Sequence, residues 1–134
     1  MNTKEIVRVG DVMTPNVLTI DATESVRNAI HLMRDNGTSS LIIERRDSDD
    51  EFGIIVVTDI AREVLGKRLS PDRVNVYEVM SKPVITLPEE MNIVFAVRML
   101  TSFKMSRALV VDHQRDPKGV VTLRDMVLRS VDEE

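Results

Sequence analysis

The alternation of apolar and polar residues along the chain predicts short strands and amphipathic helices in a fixed order. Four apolar residues lie at the spacing of one helical face: Val26, Ala29, Ile30 and Met33. Gly37 follows as a helix end, and apolar runs over 41–44 and 53–57 then predict two strands. The charged loop 45–51 between these strands suits a solvated hairpin tip, and a helix over 59–66 completes the series.

The same series of patterns occurs a second time further along the chain. Segment 11–15, DVMTP, reappears as 78–83, EVMSKP, and the methionines Met13 and Met80 are 67 positions apart. The separation falls to 66 between Gly53 and Gly119, because the loop between the two strands is one residue longer in the first copy. In the second copy the predicted elements are a helix over 93–100, strands over 108–112 and 119–122, and a helix over 123–131. A separation that stays nearly constant from one pair of equivalent residues to the next indicates an internal duplication.

We therefore predict an α/β (α+β) fold of two tandem units, each with the order β-α-β-β-α. Each unit opens with a helical turn (9–13 and 76–80) and a brief strand (17–20 and 84–87), which gives a three-stranded mixed sheet with helices on one face. A unit this small is marginally stable alone, so we expect the copies to pack sheet to sheet with pseudo-two-fold symmetry and a cleft between them. The predicted boundaries are an N-terminal segment 1–8, a first unit 9–66, a linker 67–75, a second unit 76–131 and a C-terminal tail 132–134.

The composition narrows the classes of protein to which the chain can belong. Hydrophobic residues make up 43% of the chain and aromatic residues 3%, which predicts an aliphatic core with few rings for stacking nucleic-acid bases. The net charge of -4 argues against nucleic acid or an anionic membrane as a partner. Without cysteine, neither a disulfide nor a thiolate metal site can form. Since the first residues lack a signal-peptide pattern and no apolar run has the length of a membrane span, we expect a cytoplasmic protein.

The candidate site chemistry lies where the last strand of each copy runs into the closing helix. In the second copy Gly119 opens a short apolar run that ends at Thr122, and Asp125 lies one helical turn further on. A hydroxyl and unpaired N–H groups at a helix start can hold an anion, and a carboxylate there can accept the paired hydroxyls of a ribose. A plain N-cap would explain the same pattern if it stood alone. However, Gly53 and Asp59 repeat it in the first copy.

The duplicated units resemble a pair of CBS domains (a Bateman module) from about Val9 to Val131. Each opens with a V-M-T/S-x-P-like stretch and closes with a glycine–apolar–Thr–Asp turn. The resemblance implies a regulatory, energy-sensing module for an adenosine-containing ligand: AMP, ADP, ATP, S-adenosylmethionine or NAD. Such a ligand is regulatory, and no catalytic cofactor is implied. The resemblance also implies a homodimer, and signalling by changed packing to an effector protein that the sequence does not identify.

Carried over to this sequence, the resemblance implies two unequal ligand sites. The better site draws on both copies: Val17, Thr38, Ser39, Gly119, Thr122, Arg124 and Asp125. The weaker site draws on the equivalent set: Val84, Met105, Ser106, Arg107, Gly53, Thr58 and Asp59. We expect it to be weaker because Val56 stands where the family has a hydroxyl and Thr58 is displaced from that position, although Arg107 offers a charge for a phosphate.

Catalysis and metal binding are not expected from the sequence. His31 and His113 have no third ligand at metal spacing. Ser106, Asp112 and His113 lack a nucleophile elbow, so we expect no enzyme. The alternative function is a dimerisation and protein-interaction module that acts without a nucleotide, and Val56 in the weaker site favours it.

Overall fold

The chain folds as two units whose limits differ from those of the sequence duplication. The structure is a computed structural model that describes residues 6–131, so residues 1–5 of the predicted N-terminal segment and the predicted tail 132–134 lie outside the described residues. Residues Leu18–Val84 form one unit, which we call the middle unit. The segment that ends at Val17 joins the segment that begins at Ile85 to form the other, which we call the terminal unit. Each copy's opening segment therefore packs with the body of the other copy.

The helices and strands follow the predicted order in both units. In chain order they are α1 (Val9–Val12), β1 (Thr14–Pro15), β2 (Thr19–Ile20), α2 (Val26–Asn36), β3 (Ser40–Ile43), β4 (Gly53–Val56), α3 (Val57–Ile60), β5 (Thr86–Pro88), α4 (Ile93–Ser102), β6 (Arg107–Val111), β7 (Pro117–Thr122) and α5 (Leu123–Leu128). A π-helical turn (Ala61–Leu65) continues α3, and 3-10 turns (Pro71–Arg73 and Val76–Glu78) precede β5. The predicted α/β class with two tandem β-α-β-β-α units is confirmed.

The middle unit has a three-stranded mixed sheet, as predicted. Strand β3 is parallel to β2 and antiparallel to β4, which gives the order β2-β3-β4. Helix α2 begins after Ser25, whose hydroxyl accepts a hydrogen bond from the Asn28 N–H (3.1 Å). It ends at Gly37, which adopts the left-handed conformation with φ 64°. The core of this unit includes residues from the helix and the sheet: Val26, Ala29, Met33, Leu41, Ile43 and Ile55.

The terminal unit has four strands in the order β1-β7-β6-β5. Strands β5 and β6 are parallel, and the other two pairs are antiparallel. Its core includes residues of α4, α5 and the sheet: Ala96, Leu100, Val110, Val121 and Met126. Val9 and Val12 of α1 are fully buried in the same core. The opening segment of the chain is therefore an integral part of this unit.

Strand β1 was not predicted from the sequence, and Gly119 explains how it fits. Thr14 lies opposite Val120, and Pro15 lies opposite Gly119. A Cβ atom on Gly119 would lie 2.7 Å from the Met13 sulfur and 2.7 Å from the Thr14 carbonyl oxygen. Only a residue without a side chain leaves room for this approach.

The middle unit repeats this arrangement with the opening segment of the second copy. Ile54 and Ser81 exchange backbone hydrogen bonds of 2.9 and 2.8 Å. A Cβ atom on Gly53 would lie 3.0 Å from the Ser81 carbonyl oxygen. The two glycines of the duplicated motif thus make room for the protein's own backbone.

Segment 67–75, whose polar sequence predicted a linker, is packed into the middle unit. The Val26 N–H donates to the Val74 carbonyl oxygen (2.8 Å), and the Val74 side chain is buried. The Arg27 guanidinium pairs with the Asp72 carboxylate across the same contact. The segment therefore contributes to the fold as well as connecting the copies.

The prediction of a solvated hairpin tip over 45–51 is wrong for Asp50. This side chain is only 7% exposed and accepts hydrogen bonds from Lys82 Nζ (2.6 Å) and Arg46 Nε (3.1 Å). The bond from Lys82, supported by those from Arg46, holds the pKa of the Asp50 carboxyl well below its usual range. Because Lys82 lies in the opening segment of the second copy, this ion pair ties that segment to the hairpin.

Candidate ligand-binding site

Four of the predicted site residues meet where the β6–β7 pair runs into α5. Arg107 lies opposite Thr122 in the strand register. The N–H of Leu123, the first residue of α5, donates to the Ser106 carbonyl oxygen (2.8 Å). We call Ser106, Arg107, Thr122 and Asp125 the terminal cluster. The sequence assigned Ser106 and Arg107 to one site and the other two residues to another, and the structure places all four in the same unit.

Thr122 is the N-cap of α5. Its Oγ1 accepts a hydrogen bond from the Asp125 N–H (2.9 Å), which satisfies one of the unpaired donors at the helix start. The hydroxyl keeps its own proton and so can still donate a hydrogen bond. Thr122 is therefore an N-cap, as the simpler interpretation of the sequence had it, and the cap leaves the hydroxyl proton available for a ligand.

Asp125 presents a partly exposed carboxylate one turn into α5. Its side chain is 18% exposed, and Arg129 Nε lies 3.6 Å from Oδ1. Arg129 also donates from Nη1 to the carbonyl oxygen of Val12 (3.3 Å), at the end of α1. The arginine is shared between the Asp125 carboxylate and the carbonyl oxygens of Val12 and Met13, so the carboxylate keeps most of its capacity to accept hydrogen bonds.

Arg107 brings a positive charge to the same cluster. Partial burial lowers the pKa of the Arg107 guanidinium, and the attraction of the Asp125 carboxylate opposes this effect. The group remains protonated at neutral pH, since arginine titrates far above it. The terminal cluster therefore combines a cation, a carboxylate and a hydroxyl at one strand–helix junction.

The equivalent junction of the middle unit has different chemistry. Ser39 accepts a hydrogen bond at its carbonyl oxygen from the Val57 N–H (2.9 Å), as Ser106 does in the other unit. Val56 occupies the N-cap position of α3 and provides no side-chain cap. Asp59 is 22% exposed, and its Oδ1 lies 2.5 Å from Arg62 Nη2. The hydrogen bond to Asp59 raises the pKa of the Arg62 guanidinium, and a second one to Glu63 adds to it. We call Ser39, Val56, Asp59 and Arg62 the middle cluster.

The remaining residues of the predicted better site are divided between the units. Val17 is half-buried at the end of the opening segment of the terminal unit, and Arg124 is exposed on α5. In the middle unit, the Thr38 hydroxyl donates to the Ser40 carbonyl oxygen (3.3 Å). Gly119 lies against Met13 and Thr14, as described above.

The remaining residues of the predicted weaker site are also divided. Val84 is buried in the middle unit, and its N–H donates to the Phe52 carbonyl oxygen (2.9 Å). Thr58 is exposed in α3. Met105 is half-buried in the terminal unit, where its N–H donates to the Leu100 carbonyl oxygen (2.9 Å). The pairing of residues across the units stays a prediction for both sites.

The sequence did not lead us to two arginines that lie beside the cluster carboxylates. Arg62 follows Asp59 by three positions, and Arg129 follows Asp125 by four. Both spacings place the two side chains on the same side of a helix, so the signal was present in the sequence. Within residues 6–131 there is no group of His, Asp or Glu side chains that could hold a metal ion, and no helix long and apolar enough to cross a bilayer.

Comparison with known proteins relates both halves of the chain to one family. The family model of the CBS domain matches residues 9–66 and 76–132. Uncharacterized protein MK0525 of Methanopyrus kandleri is 32% identical over 121 residues, which cover 90% of this chain and 61% of the relative. The chain spans 61%, 45% and 40% of the lengths of three curated relatives, so these relatives contain further sequence.

Solved structures give the same relationship. The hexameric CBS-CP12 protein from bloom-forming cyanobacteria superposes with a TM-score of 0.90 at 28% identity, covering 95% of this chain and 70% of that chain. The CBS domain pair of protein MJ0100, crystallised with methylthioadenosine and S-adenosylmethionine, superposes with a TM-score of 0.77 at 25% identity. That match covers 92% of this chain and 94% of the other.

Proposed function

Because the chain belongs to the CBS domain family, we propose that it is a regulatory module that binds an adenosine-containing ligand at the terminal cluster. The observation that carries the proposal is the meeting of Thr122, Asp125 and Arg107 at one strand–helix junction. The similar CBS pair of MJ0100, described with methylthioadenosine and S-adenosylmethionine, supports an adenosine ligand. The role is regulatory rather than catalytic.

Three residues of the terminal cluster have distinct parts in this proposal. Asp125 accepts hydrogen bonds from the two ribose hydroxyls, since a carboxylate has acceptor sites for both. Thr122 donates its hydroxyl proton to an oxygen of the ligand. Arg107 supplies the charge for a phosphate, because a guanidinium can bind two oxygens of the same group. This arrangement suits AMP, ADP, ATP or NAD, and a ligand without phosphate makes no use of Arg107.

The other predicted contacts keep the parts that the family resemblance implies. Val17 of the terminal unit supplies an apolar wall for the adenine, and the hydroxyl contacts that the resemblance assigns to Thr38 and Ser39 stay predictions. Arg124 is exposed beside Asp125 in sequence, where its charge can add to that of Arg107. Gly119 contributes by admitting β1 and so fixing the end of β7.

The middle cluster is the weaker ligand site in this proposal. Val56 has no hydroxyl to offer a ligand, and Arg62 Nη2 already forms an ion pair with Asp59 Oδ1 at 2.5 Å. A ribose would have to displace this arginine. Exposed ion pairs contribute about 0.2–1 kcal/mol, so the displacement alone weakens binding by only a small factor. The missing hydroxyl makes the larger difference between the sites.

Thermal unfolding with AMP, ADP, ATP, S-adenosylmethionine and NAD tests the proposal. A ligand at about one hundred times its dissociation constant should add about 2.7 kcal/mol to the free energy of unfolding. Asp125→Asn keeps the shape of the side chain and should abolish most of the shift. Asp59→Asn is the matched control at the weaker site and should keep it. The proposal is refuted if no ligand shifts the unfolding, or if Asp125→Asn responds like the unaltered protein.

The alternative is a dimerisation and interaction module that works without a nucleotide. Val56 and the Asp59–Arg62 ion pair favour it for the middle cluster. It predicts a stable homodimer whose association is indifferent to nucleotide and to Asp125→Asn. In the sensor proposal, by contrast, a ligand changes packing only through its different affinities for two arrangements, which an effector protein then distinguishes.

A further inference from the structure

Arg129 joins the terminal cluster to the opening segment of the terminal unit, which contains α1 and β1. Its Nε lies 3.6 Å from Oδ1 of Asp125, and its Nη1 donates to the carbonyl oxygens of Val12 (3.3 Å) and Met13 (3.5 Å). Val12 is the last residue of α1, and Met13 lies between α1 and β1. Carbonyl oxygens at the end of a helix have no partner within the helix, and basic side chains can bind them. One guanidinium is therefore divided between the Asp125 carboxylate and the end of α1.

The contacts of Arg129 are long, so the guanidinium can shift between its acceptors. Hydrogen bonds from N–H to oxygen are usually about 2.7–3.2 Å long. All three distances from Arg129 exceed this range, and about half of its side chain is exposed (51%). A movement toward the carbonyl oxygens would shorten those two contacts and lengthen the one to Asp125. The position of Arg129 therefore depends on how strongly the carboxylate attracts it.

The start of α1 is held more firmly than its end. The N–H groups of Val9 and Gly10 donate to the carbonyl oxygens of Met91 and Glu89 (2.8 and 2.9 Å). These bonds have ordinary lengths and involve only the backbone. The end of α1, in contrast, has the long contacts from the side chain of Arg129. The end is therefore the part of α1 that a shift of Arg129 would affect.

The equivalent position in the middle unit carries the opposite charge. By the repeat separation of 66, the counterpart of Arg129 is Glu63. Arg62 of that unit donates to Asp59 Oδ1 (2.5 Å) and Glu63 Oε2 (3.2 Å), which belong to the same helical segment as the arginine. Arg62 is therefore held by carboxylates of its own helix. The duplicated fold does not require the link that Arg129 makes to an opening segment.

We propose that Arg129 couples occupation of Asp125 to the stability of the opening segment. This inference rests on the proposed function, because the ligand is the adenosine-containing molecule whose ribose binds Asp125. Ribose hydroxyls that donate to the carboxylate use the oxygens that attract Arg129. The guanidinium then moves to the carbonyl oxygens of Val12 and Met13, and the end of α1 becomes more stable. Arg129 is thus a positioning residue that transmits the state of the site to α1.

The first test needs no ligand. Asp125→Asn removes the charge that attracts Arg129 and keeps the shape of the side chain. The measurement is hydrogen exchange of the Met13 amide by NMR, because this N–H donates to the Val9 carbonyl oxygen and closes α1 (3.1 Å). Coupling between two sites typically amounts to about 5–150-fold, and a single half-exposed arginine belongs at the lower end. Asp125→Asn should therefore slow the exchange about fivefold, and an unchanged or faster exchange overturns the proposal.

Arg129→Met shows whether the effect passes through the guanidinium. This substitution keeps an apolar stem, and since the contacts it removes are long, it should speed exchange of the Met13 amide by less than about threefold. In the Arg129→Met background, Asp125→Asn should no longer slow the exchange, so the two substitutions are not additive. Equal slowing in both backgrounds would mean that the carboxylate acts without Arg129, and the proposal would be wrong.

The middle unit supplies a matched control. The Met80 amide is the counterpart of the Met13 amide and donates to the Val76 carbonyl oxygen (3.0 Å). Asp59→Asn makes the equivalent change beside Arg62, whose partners lie on its own helical segment. Exchange of the Met80 amide should change less than about twofold, below the range of coupling between sites. A fivefold slowing there would attribute the effect to the loss of any acid at a helix start and overturn the role of Arg129.

A ligand experiment separates failure of this inference from failure of the proposed function. Saturating AMP should slow exchange of the Met13 amide about fivefold relative to the Met80 amide, and it should have no such effect in Arg129→Met. If AMP raises the thermal stability without this slowing, the coupling is wrong and the ligand site stands. If no nucleotide shifts the unfolding, the proposed function fails, while the response to Asp125→Asn still decides whether Arg129 links the carboxylate to α1.

Discussion

Replacing Gly119 with alanine should detach β1 from the sheet of the terminal unit. The new methyl carbon would lie 2.7 Å from both the Met13 sulfur and the Thr14 carbonyl oxygen. Met13 can move its flexible side chain, but the Thr14 carbonyl belongs to the backbone of β1. Overpacking of this kind reduces stability by about 1–3 kcal/mol, and each backbone hydrogen bond lost with the strand removes about 1 kcal/mol more. We expect the free energy of unfolding to fall by about 2–4 kcal/mol.

Urea unfolding followed by circular dichroism measures this loss, and two other glycines calibrate it. Gly53→Ala meets the Ser81 carbonyl oxygen at 3.0 Å and should reduce stability by about 1–2 kcal/mol. Gly10→Ala meets its nearest atom, the Glu89 carbonyl oxygen, at 3.3 Å and should change stability by less than about 0.5 kcal/mol. A Gly119→Ala protein as stable as the unaltered one, or less affected than Gly53→Ala, would refute the reasoning.

Met13→Ala separates the two clashes of Gly119→Ala. It removes the sulfur but leaves the Thr14 carbonyl oxygen in place. In a double-mutant cycle the two substitutions should therefore show a favourable coupling that recovers only part of the loss. Full recovery would mean that the sulfur alone excludes a side chain at position 119.

Two further substitutions test a helix cap and a buried carboxylate. Thr122→Val removes the cap of α5 and should lower the free energy of urea unfolding by about 1 kcal/mol, whereas Thr122→Ser should keep it; equal losses for both would contradict the capping role. Asp50 has a pKa lowered by Lys82 and Arg46, so its contribution to stability is present above the unfolded pKa of about 3.9 and is lost as pH falls through the folded pKa. Asp50→Asn should therefore flatten the decline of stability below about pH 4, and identical profiles from urea unfolding at several pH values would refute this.

Local signals in the sequence predicted most of the elements. The apolar spacing of α2 and the glycine that ends it are both properties of a few neighbouring residues, and the structure has both. The duplication then extended the prediction to the second copy. Strand β1 was not predicted because Thr14 and Pro15 do not show the alternation of apolar and polar residues that is typical of a strand. Their conformation depends on Gly119, more than one hundred positions away in the chain.

The candidate site, too, could be predicted only where its residues form a local motif. Thr122 and Asp125 were identified because a hydroxyl and an acid three positions later form a local motif. Their meeting with Arg107 depends on the β6–β7 register, which the sequence does not fix residue by residue. The two glycines were assigned to the ligand sites, and the structure shows that each lies against the backbone of an opening segment. A glycine indicates close approach without identifying what approaches.

The exchange of opening segments has a consequence for any attempt to dissect the chain. A fragment cut at the repeat boundary, residues 9–66, would keep an α1 whose core lies elsewhere and would lose Val76 and Val79, which complete its own core. Neither half is then a self-sufficient folding piece. Two separately expressed halves should each be poorly structured, and mixing them should restore the native protein as a complementing pair. An ancestral chain with a single copy of the unit would, for the same reason, have needed a second identical chain to supply this segment.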